Sequence, residues 1–443
     1  MSIKVSSLFP LPTAEISKEL DSYVRILDKI VPLKSRFQQE IQYAVRDLSR
    51  ALTGERSSLS NDYMGDPRSL NAYLRYFLPW NLYRLARLFQ GLDIDLPDGG
   101  VVADLGAGPL TVAQALWIAR PDLRSKKLTF INVDRTPKPM REGANLFSEL
   151  AGQDSPWKMV NVKGGSTSKI REKADLLVTA NMVNEASAGT RIPLPVWAEN
   201  FCHSMATKLA PGGRILIIEP GIRRSGRVLS VIREEFIEAG YSILGPCTHA
   251  GECPMSGDQG KAWCHFNFDS DHAPKWLQEL SARCRLEKDN VSLSFLYVGQ
   301  YNDEPEQARE GEILIRAISD SFRLDEGGFG QYGCAEPGQI LLVARGGAKT
   351  LYPGGIIGMP LPEEDKKDAK SGAMIVDLPV RDQDKKRGPK PDGKPFEKPQ
   401  PKRNGKRPER DGNRPARGGS RPERGDKKTE RHQSNGQVRR PKK

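Results

Sequence analysis

The chain has 443 residues, with 68 basic and 56 acidic side chains and a formal net charge of +12; this length exceeds one small core and suggests two or three units. The charge is uneven: Lys385–Lys443 holds 22 basic and 7 acidic residues, a net +15, and the remainder carries −3. A near-neutral body with a basic appendage points to a polyanionic partner, most often nucleic acid, and no apolar run approaches the length of about 18 residues that would predict a transmembrane helix.

The opening segment, MSIKVSSLFPLPTAEISKEL, has neither the apolar stretch of a secretory signal nor the acid-poor, Arg-rich character of a transit peptide. A cytoplasmic location and no membrane partner are expected. Helical spacing of apolar residues follows over Glu15–Ile30, Phe37–Leu52 and Leu70–Leu88. Pro79 lies inside the third run and predicts a kink or a division there. The region reads as a helical cap packed on the core rather than as an RNA-reading face.

From about residue 98 short apolar strands alternate with helices. Strands are expected at Val101–Leu105, Leu128–Val133, Met159–Val162, Asp175–Ala180 and Arg214–Glu219. Helices are expected at Leu110–Ala119, Pro139–Leu150, Val196–Leu209 and Val228–Ala239. This alternation predicts a parallel sheet covered on both faces. Residues 245–290 are rich in Cys, His, Gly and Asp, with little apolar periodicity, and read as a segment unable to bury a core unaided. Strand patterns return at Ser292–Val298, Glu312–Ile318 and Gln339–Val343. After about 360, Pro, Gly, Lys and Arg take over, and the end of the chain reads as a disordered tail able to track a phosphate backbone.

Val101–Thr111 joins a strand to a helix through Asp104, Leu105, Gly106, Ala107 and Gly108. Gly106 and Gly108 allow a tight turn and close approach to a ligand. Asp134 ends the second strand, where a carboxylate can accept hydrogen bonds from both ribose hydroxyls of an adenosine. Ala210–Pro211–Gly212–Gly213 precedes the fifth strand. Together these features resemble a class I methyltransferase that binds S-adenosylmethionine. A dinucleotide site fits less well, because Thr111 stands where the G-x-G-x-x-G/A fingerprint wants a small residue. Leu110 replaces a glycine that many methyltransferases carry. Asn181 follows the fourth strand, facing the transferred methyl in such a fold. The chain there reads Asn181–Met182–Val183–Asn184–Glu185, without the proline-rich motif of amino-directed enzymes. No catalytic residue is assigned; Asn184 and Glu185 are candidates by location only.

Three cysteines, Cys247, Cys253 and Cys264, fall within eighteen residues of a loop-rich stretch, and Cys334 lies downstream. Thiolates suit zinc or iron–sulfur clusters, and a metal can order a loop that lacks its own core. Spacing leaves the metal open between these two, and leaves Cys334, Cys284, His249 and His265 as options for a fourth ligand. Cys202, beside Phe201 on a helix, reads as core.

These pieces resemble the methyltransferase-like small-ribosomal-subunit assembly family of mitochondria and bacteria. The resemblance rests on Asp104–Pro109, Gly245–Pro254, Trp263–Phe266, Arg316–Asp320 and Tyr332–Cys334, and covers roughly residues 65–345. It implies an α/β class I S-adenosylmethionine-dependent methyltransferase fold (Rossmann-like) with a helical region over 1–97 and a methyltransferase core over 98–244. An inserted Cys-rich metal-binding element with C-terminal strands would follow over 245–350, and a linker and disordered basic tail over 351–443. S-adenosylmethionine would be held by Asp104, Gly106, Ala107, Gly108, Asp134 and Asn181. A [4Fe–4S] cluster would be held by Cys247, Cys253, Cys264 and Cys334. The partner would be the small ribosomal subunit and its rRNA, with the tail adding nucleic-acid affinity and the free protein monomeric. Methyl transfer to rRNA is the first reading. A catalytically inactive assembly factor or RNA-binding platform is the second, and a zinc-stabilised protein methyltransferase the third.

Overall fold

A computed structural model describes residues 7–53, 63–188, 190–258, 262–301, 303, 307–362 and 365–380. The Lys385–Lys443 tail therefore lies outside the described residues. No helix among those described is long and apolar enough to cross a membrane.

The chain enters through two amphipathic helices, α1 (Ala14–Ile30) and α2 (Ser35–Thr53). Thr13 caps α1 by accepting a hydrogen bond from the Ile16 N–H. Helix α3 (Pro67–Ala72) starts on the Asp66 cap with proline in its first turn. A π turn over Tyr73–Phe77 then leads into α4 (Leu78–Gly91). Pro79 thus opens a new helix after a widened turn, where its missing N–H costs little. Helix α4 is buried almost all round, because it lies between the N-terminal segment and the sheet.

Five parallel strands follow: β1 (Val101–Leu105), β2 (Thr129–Asp134), β3 (Lys158–Lys163), β4 (Ala174–Ala180) and β5 (Leu209–Pro220). Between them run α5 (Thr111–Ala119), α6 (Pro137–Ala151), α7 (Val183–Ala188) and α8 (Leu194–Ala206), with α9 (Arg223–Glu238) after β5. Strands β6 (Ser242–Gly245) and β7 (Phe266–Asp269) both pair with the antiparallel β8 (Asn290–Gly299), which pairs in turn with β5. The sheet order is β3-β2-β1-β4-β5-β8-β6, with β7 beside β6 on the outer edge of β8. Both faces are covered. Val102, Phe130, Leu176 and Leu216 pack toward the α1–α6 side. Ala103, Ile131, Leu177 and Ile215 pack toward α8 and α9. Burial on two faces explains why these strands are continuous apolar runs.

The stretch 245–290 departs from expectation. It contributes β7 and α10 (Lys275–Cys284), and Phe266, Phe268, Leu277, Leu280 and Cys284 belong to the main core. A four-residue strand and a ten-residue helix are too short to show a period, yet β8 gives β7 a partner. The expected 98–244 and 245–350 division therefore cuts through one sheet. A second sheet contains β9 (Glu312–Ala317), β10 (Phe322–Arg323), β11 (Phe329–Ala335), β12 (Gly338–Ala344), β13 (Ile356–Pro360) and β14 (Met374–Asp377). Ile315, Ile340, Leu342, Ile357 and Val376 fill its own core. Residues 356–360 and 374–377 are thus paired strands rather than linker. Their few apolar residues suffice because β9 and β12 are already there to pair with.

Arg87 ties the parts together. Its guanidinium is fully buried and donates to the carbonyls of Phe9 and Pro10 and to the hydroxyls of Tyr83 and Tyr352, at 2.6–2.9 Å. It also sits 4.9 Å over the Phe268 ring. One side chain therefore joins the N-terminal segment, α4, β7 and the loop before β13.

Candidate functional site

The strongest local device is the turn after β1. Gly106 has φ +81° and Gly108 has φ +49°, and a Cβ on Gly106 would meet the Met182 side chain at 2.7 Å. Leu110 also has φ +57°, a left-handed conformation that favours glycine. Leucine is retained there with its side chain fully buried in the core. The turn is pinned from below: Gly106 and Ala107 donate to the Val133 carbonyl, at 2.8 and 3.1 Å. Gly108 donates to Asp134 Oδ2 at 2.9 Å, and Thr136 to Asp134 Oδ1 at 2.9 Å. Each Asp134 oxygen therefore already holds one backbone N–H, and a ribose contact would use the remaining lone pairs.

Above this turn, at the carboxyl ends of the parallel strands, lies a cavity of about 670 Å³. Asp104, Gly106, Ala107, Gly108, Asp134 and Asn181 all line it. A crevice outside the carboxyl ends of the strands is where open α/β sheets bind ligands, and the volume lies within the usual range of about 300–1,000 Å³. Asp104 is 1% exposed, and neither of its carboxylate oxygens has a hydrogen-bond partner. Burial, and then the neighbouring Asp134, push its carboxyl up to about 8. An orphaned acid at a cavity wall is costly unless something fills the gap.

The helical cap supplies the opposite wall with Tyr73, Phe77, Trp80 and Arg84. The region expected only to pack on the core therefore also shapes the cavity. Arg84 donates from Nη2 to Asn181 Oδ1 at 2.7 Å and to Asn81 Oδ1 at 2.9 Å, and from Nη1 to the Ser292 carbonyl at 3.1 Å. Burial lowers its guanidinium to about 10. Asn181 is itself left-handed, with φ +61°, and donates its N–H to Ile218 O. The sequence signal for this wall is Arg84, a charge set in an otherwise apolar stripe. Of the two residues singled out by location, Asn184 is buried and donates to Ser225 Oγ, whereas Glu185 is exposed at the cavity. Glu219 accepts the N–H groups of Val183 and Asn184, capping α7.

The four cysteines converge elsewhere. Cys247, Cys253, Cys264 and Cys334 line one small cavity of about 40 Å³ between the loop after β6, the start of β7 and strand β11. Arg233 of α9 braces the loop, donating to Cys247 Sγ at 3.2 Å and to the His249 and Gly251 carbonyls at 2.7 and 2.9 Å. His249 Nε2 lies 3.5 Å from Cys334 Sγ. Burial pushes the Cys253, Cys264 and Cys334 thiols up, and the neighbouring Cys247 adds to it in each case. Among the described residues, no group of three or more His, Cys, Asp or Glu side chains stands close enough together to hold a metal ion. Cys202 and Cys284 are core residues; Cys284, on α10, does not line this cavity.

The strand order, the glycine turn and the crevice above it define the fold as that of a class I S-adenosylmethionine-dependent methyltransferase. Residues 99–310 match the family model described as mitochondrial small ribosomal subunit Rsm22. No curated protein matches the chain. Three solved structures illustrate its structural neighbours. Magnesium protoporphyrin IX methyltransferase from Synechocystis, solved with bound SAH, is 12% identical and covers 59% of this chain and 99% of its own, with a TM-score of 0.33. The 16S rRNA methyltransferase KamB is 13% identical over 47% of this chain and 95% of its own, with a TM-score of 0.29. A methyltransferase from Pyrococcus furiosus is 14% identical over 46% of this chain and 77% of its own, with a TM-score of 0.29. The strand order, rather than these alignments, carries the fold assignment.

Proposed function

We propose that the chain binds S-adenosylmethionine in the large cavity and works on or with the small ribosomal subunit and its rRNA. The observation that carries the cofactor reading is Asp104, an orphaned carboxyl beside the glycine turn. Its chemistry suits the ammonium of the methionine moiety, and Asp134 suits the ribose. Gly106, Ala107 and Gly108 leave room for the nucleoside, and Asn181 would face the methyl group. The cofactor, when bound, supplies an electrophilic methyl; the chain binds and orients it. Calorimetric titration with S-adenosylhomocysteine tests this. Saturable one-to-one binding that weakens at least about tenfold in Asp104→Ala is expected, on the basis of one lost charge-assisted contact. No binding to the intact protein overturns the reading.

The ribosomal part of the proposal is supported by the family match over 99–310. We further propose a cytoplasmic location and a monomeric free state. Cosedimentation with small subunits in a sucrose gradient is the expected behaviour.

The second reading, a docking platform without catalysis, is favoured by the end of β4. Asn181 is held by the buried Arg84, and Asn184 is buried against Ser225. Neither is placed as a base. Incubation with labelled cofactor and small-subunit rRNA separates the two: label in RNA supports the enzyme.

We further propose that Cys247, Cys253, Cys264 and Cys334 hold a [4Fe–4S] cluster. Four soft donors around one cavity support it. Anaerobic protein is expected to carry about four irons and four sulfides per chain, lost in Cys253→Ser. About one zinc without sulfide would sink the cluster.

A further inference from the structure

The large cavity is longer than its cofactor half. Asp134 and the glycine turn mark the β1–β2 side, and the cavity continues past Asn181 and Pro220 to Lys288, Asn290 and Ser292 at the start of β8. Resting on the cofactor reading above, this far end belongs to the second reactant, because it lies beyond β4 in the sheet order. Its chemistry differs from that of the near end. Arg84 is 8% exposed, and its Nε is buried without a hydrogen-bond partner. Lys288 Nζ sits 5.8 Å from the Trp80 ring centroid on the same wall. Among the described residues neither cation forms an ion pair. Glu219, whose charge reaches Arg84, is engaged by the N–H groups that begin α7. Glu185, then Arg84 and Asp134, act on Tyr73 between the two ends, and Asp104 stands near the end of β1.

Two cations in one cavity, neither in direct ion-pair contact with a carboxylate among the described residues, repel one another. Lys288 is an exposed residue at the cavity, yet partial burial of its ammonium, and then the Arg84 charge, lower it. An arrangement of this kind is relieved by an anion. A guanidinium and an ammonium suit a phosphate, while the half-buried rings of Tyr73 and Phe77 offer surface for an attached base. We infer that Arg84 and Lys288 form a subsite for the phosphate of a nucleotide, with the aromatic residues of the cap receiving its base. The cap is then the substrate-recognition element of the fold. The phosphate comes either from a free nucleotide or from a nucleotide within an RNA strand.

The test is calorimetry on the full-length chain saturated with S-adenosylhomocysteine, using cytidine, cytidine 5′-monophosphate and a single-stranded RNA hexamer. The monophosphate is expected to bind at least about tenfold more tightly than the nucleoside. Lys288→Gln, an accessible side chain, should remove that difference and leave S-adenosylhomocysteine affinity unchanged; Arg84→Lys should keep part of it. A hexamer whose affinity falls with Lys288→Gln by the same factor identifies RNA as the source, and a hexamer indifferent to the substitution identifies the free nucleotide. Equal binding of nucleoside and monophosphate overturns the inference, as does failure of both to bind. Loss of S-adenosylhomocysteine affinity in Lys288→Gln also overturns it, since the cation would then serve the methionine carboxylate. If S-adenosylhomocysteine itself fails to bind, the cofactor reading falls, and the nucleotide comparison on the unliganded protein still decides the subsite.

Discussion

Asp104 is the residue at which folding and ligand binding conflict most plainly. Its carboxyl rises in the fold to about 8 from an ordinary 3.8. The folded state therefore holds a proton that the unfolded chain releases between these values. Stability then falls as pH rises from about 4 to about 8 and is flat below that window, where both states are protonated. At about 1.4 kcal/mol per unit, the effect on the ligand-free protein reaches a few kcal/mol. Asp104→Asn should remove it. Urea unfolding is expected to show a variant more stable than the parent at pH 8, with the gap closing toward pH 4. A gap independent of pH would mean that the carboxyl is not held protonated. The acid at the end of β1 was legible from sequence; its lack of partners was not, because that depends on what the helical cap and α7 leave uncovered.

Among the elements, α4 carries two unrelated duties on one helix. Arg84 faces the cavity, and Arg87, three residues on, anchors the N-terminal segment and Tyr352. Sequence reading marks this stretch as an apolar stripe, and most of it is one. The arginines within it gain meaning only from chain segments far away in sequence. Arg87→Met would leave the Phe9 and Pro10 carbonyls without their donor in a buried setting. A loss of about 3 kcal/mol or more is expected in urea unfolding, from several buried acceptors left unpaired. S-adenosylhomocysteine affinity should change little in protein that remains folded. The short β7 and α10 show the complementary lesson. Their sequences are too brief for periodicity to speak, and they are ordered by β8 and the core they join.

At the scale of the whole molecule, charge is segregated. The body is near neutral, while Lys385–Lys443 carries +15. If the tail holds RNA, counterion release would make that binding salt-sensitive. Deleting residues 385–443 should weaken binding to a small-subunit rRNA fragment and flatten the dependence of log affinity on log salt. The melting temperature and S-adenosylhomocysteine binding should stay as they were. Unchanged affinity and slope would make the tail idle.

The alternation of apolar strands with helices, and the glycine turn followed by an acid on the next strand, specify the parallel sheet and the place of its crevice. These signals are local: a strand's period, a turn's need for glycine and a carboxylate at a strand end are all encoded within a few tens of residues. The grouping of Cys247, Cys253 and Cys264 is likewise visible as proximity in the chain. Tertiary structure alone decided that Cys334 reaches them from a second sheet, that residues 356–360 and 374–377 complete that sheet, and that Arg84 and Lys288 line one cavity. Those outcomes depend on strand pairing and burial between segments up to two hundred residues apart, and no local pattern carries the energy of a contact whose partner lies that far along the chain.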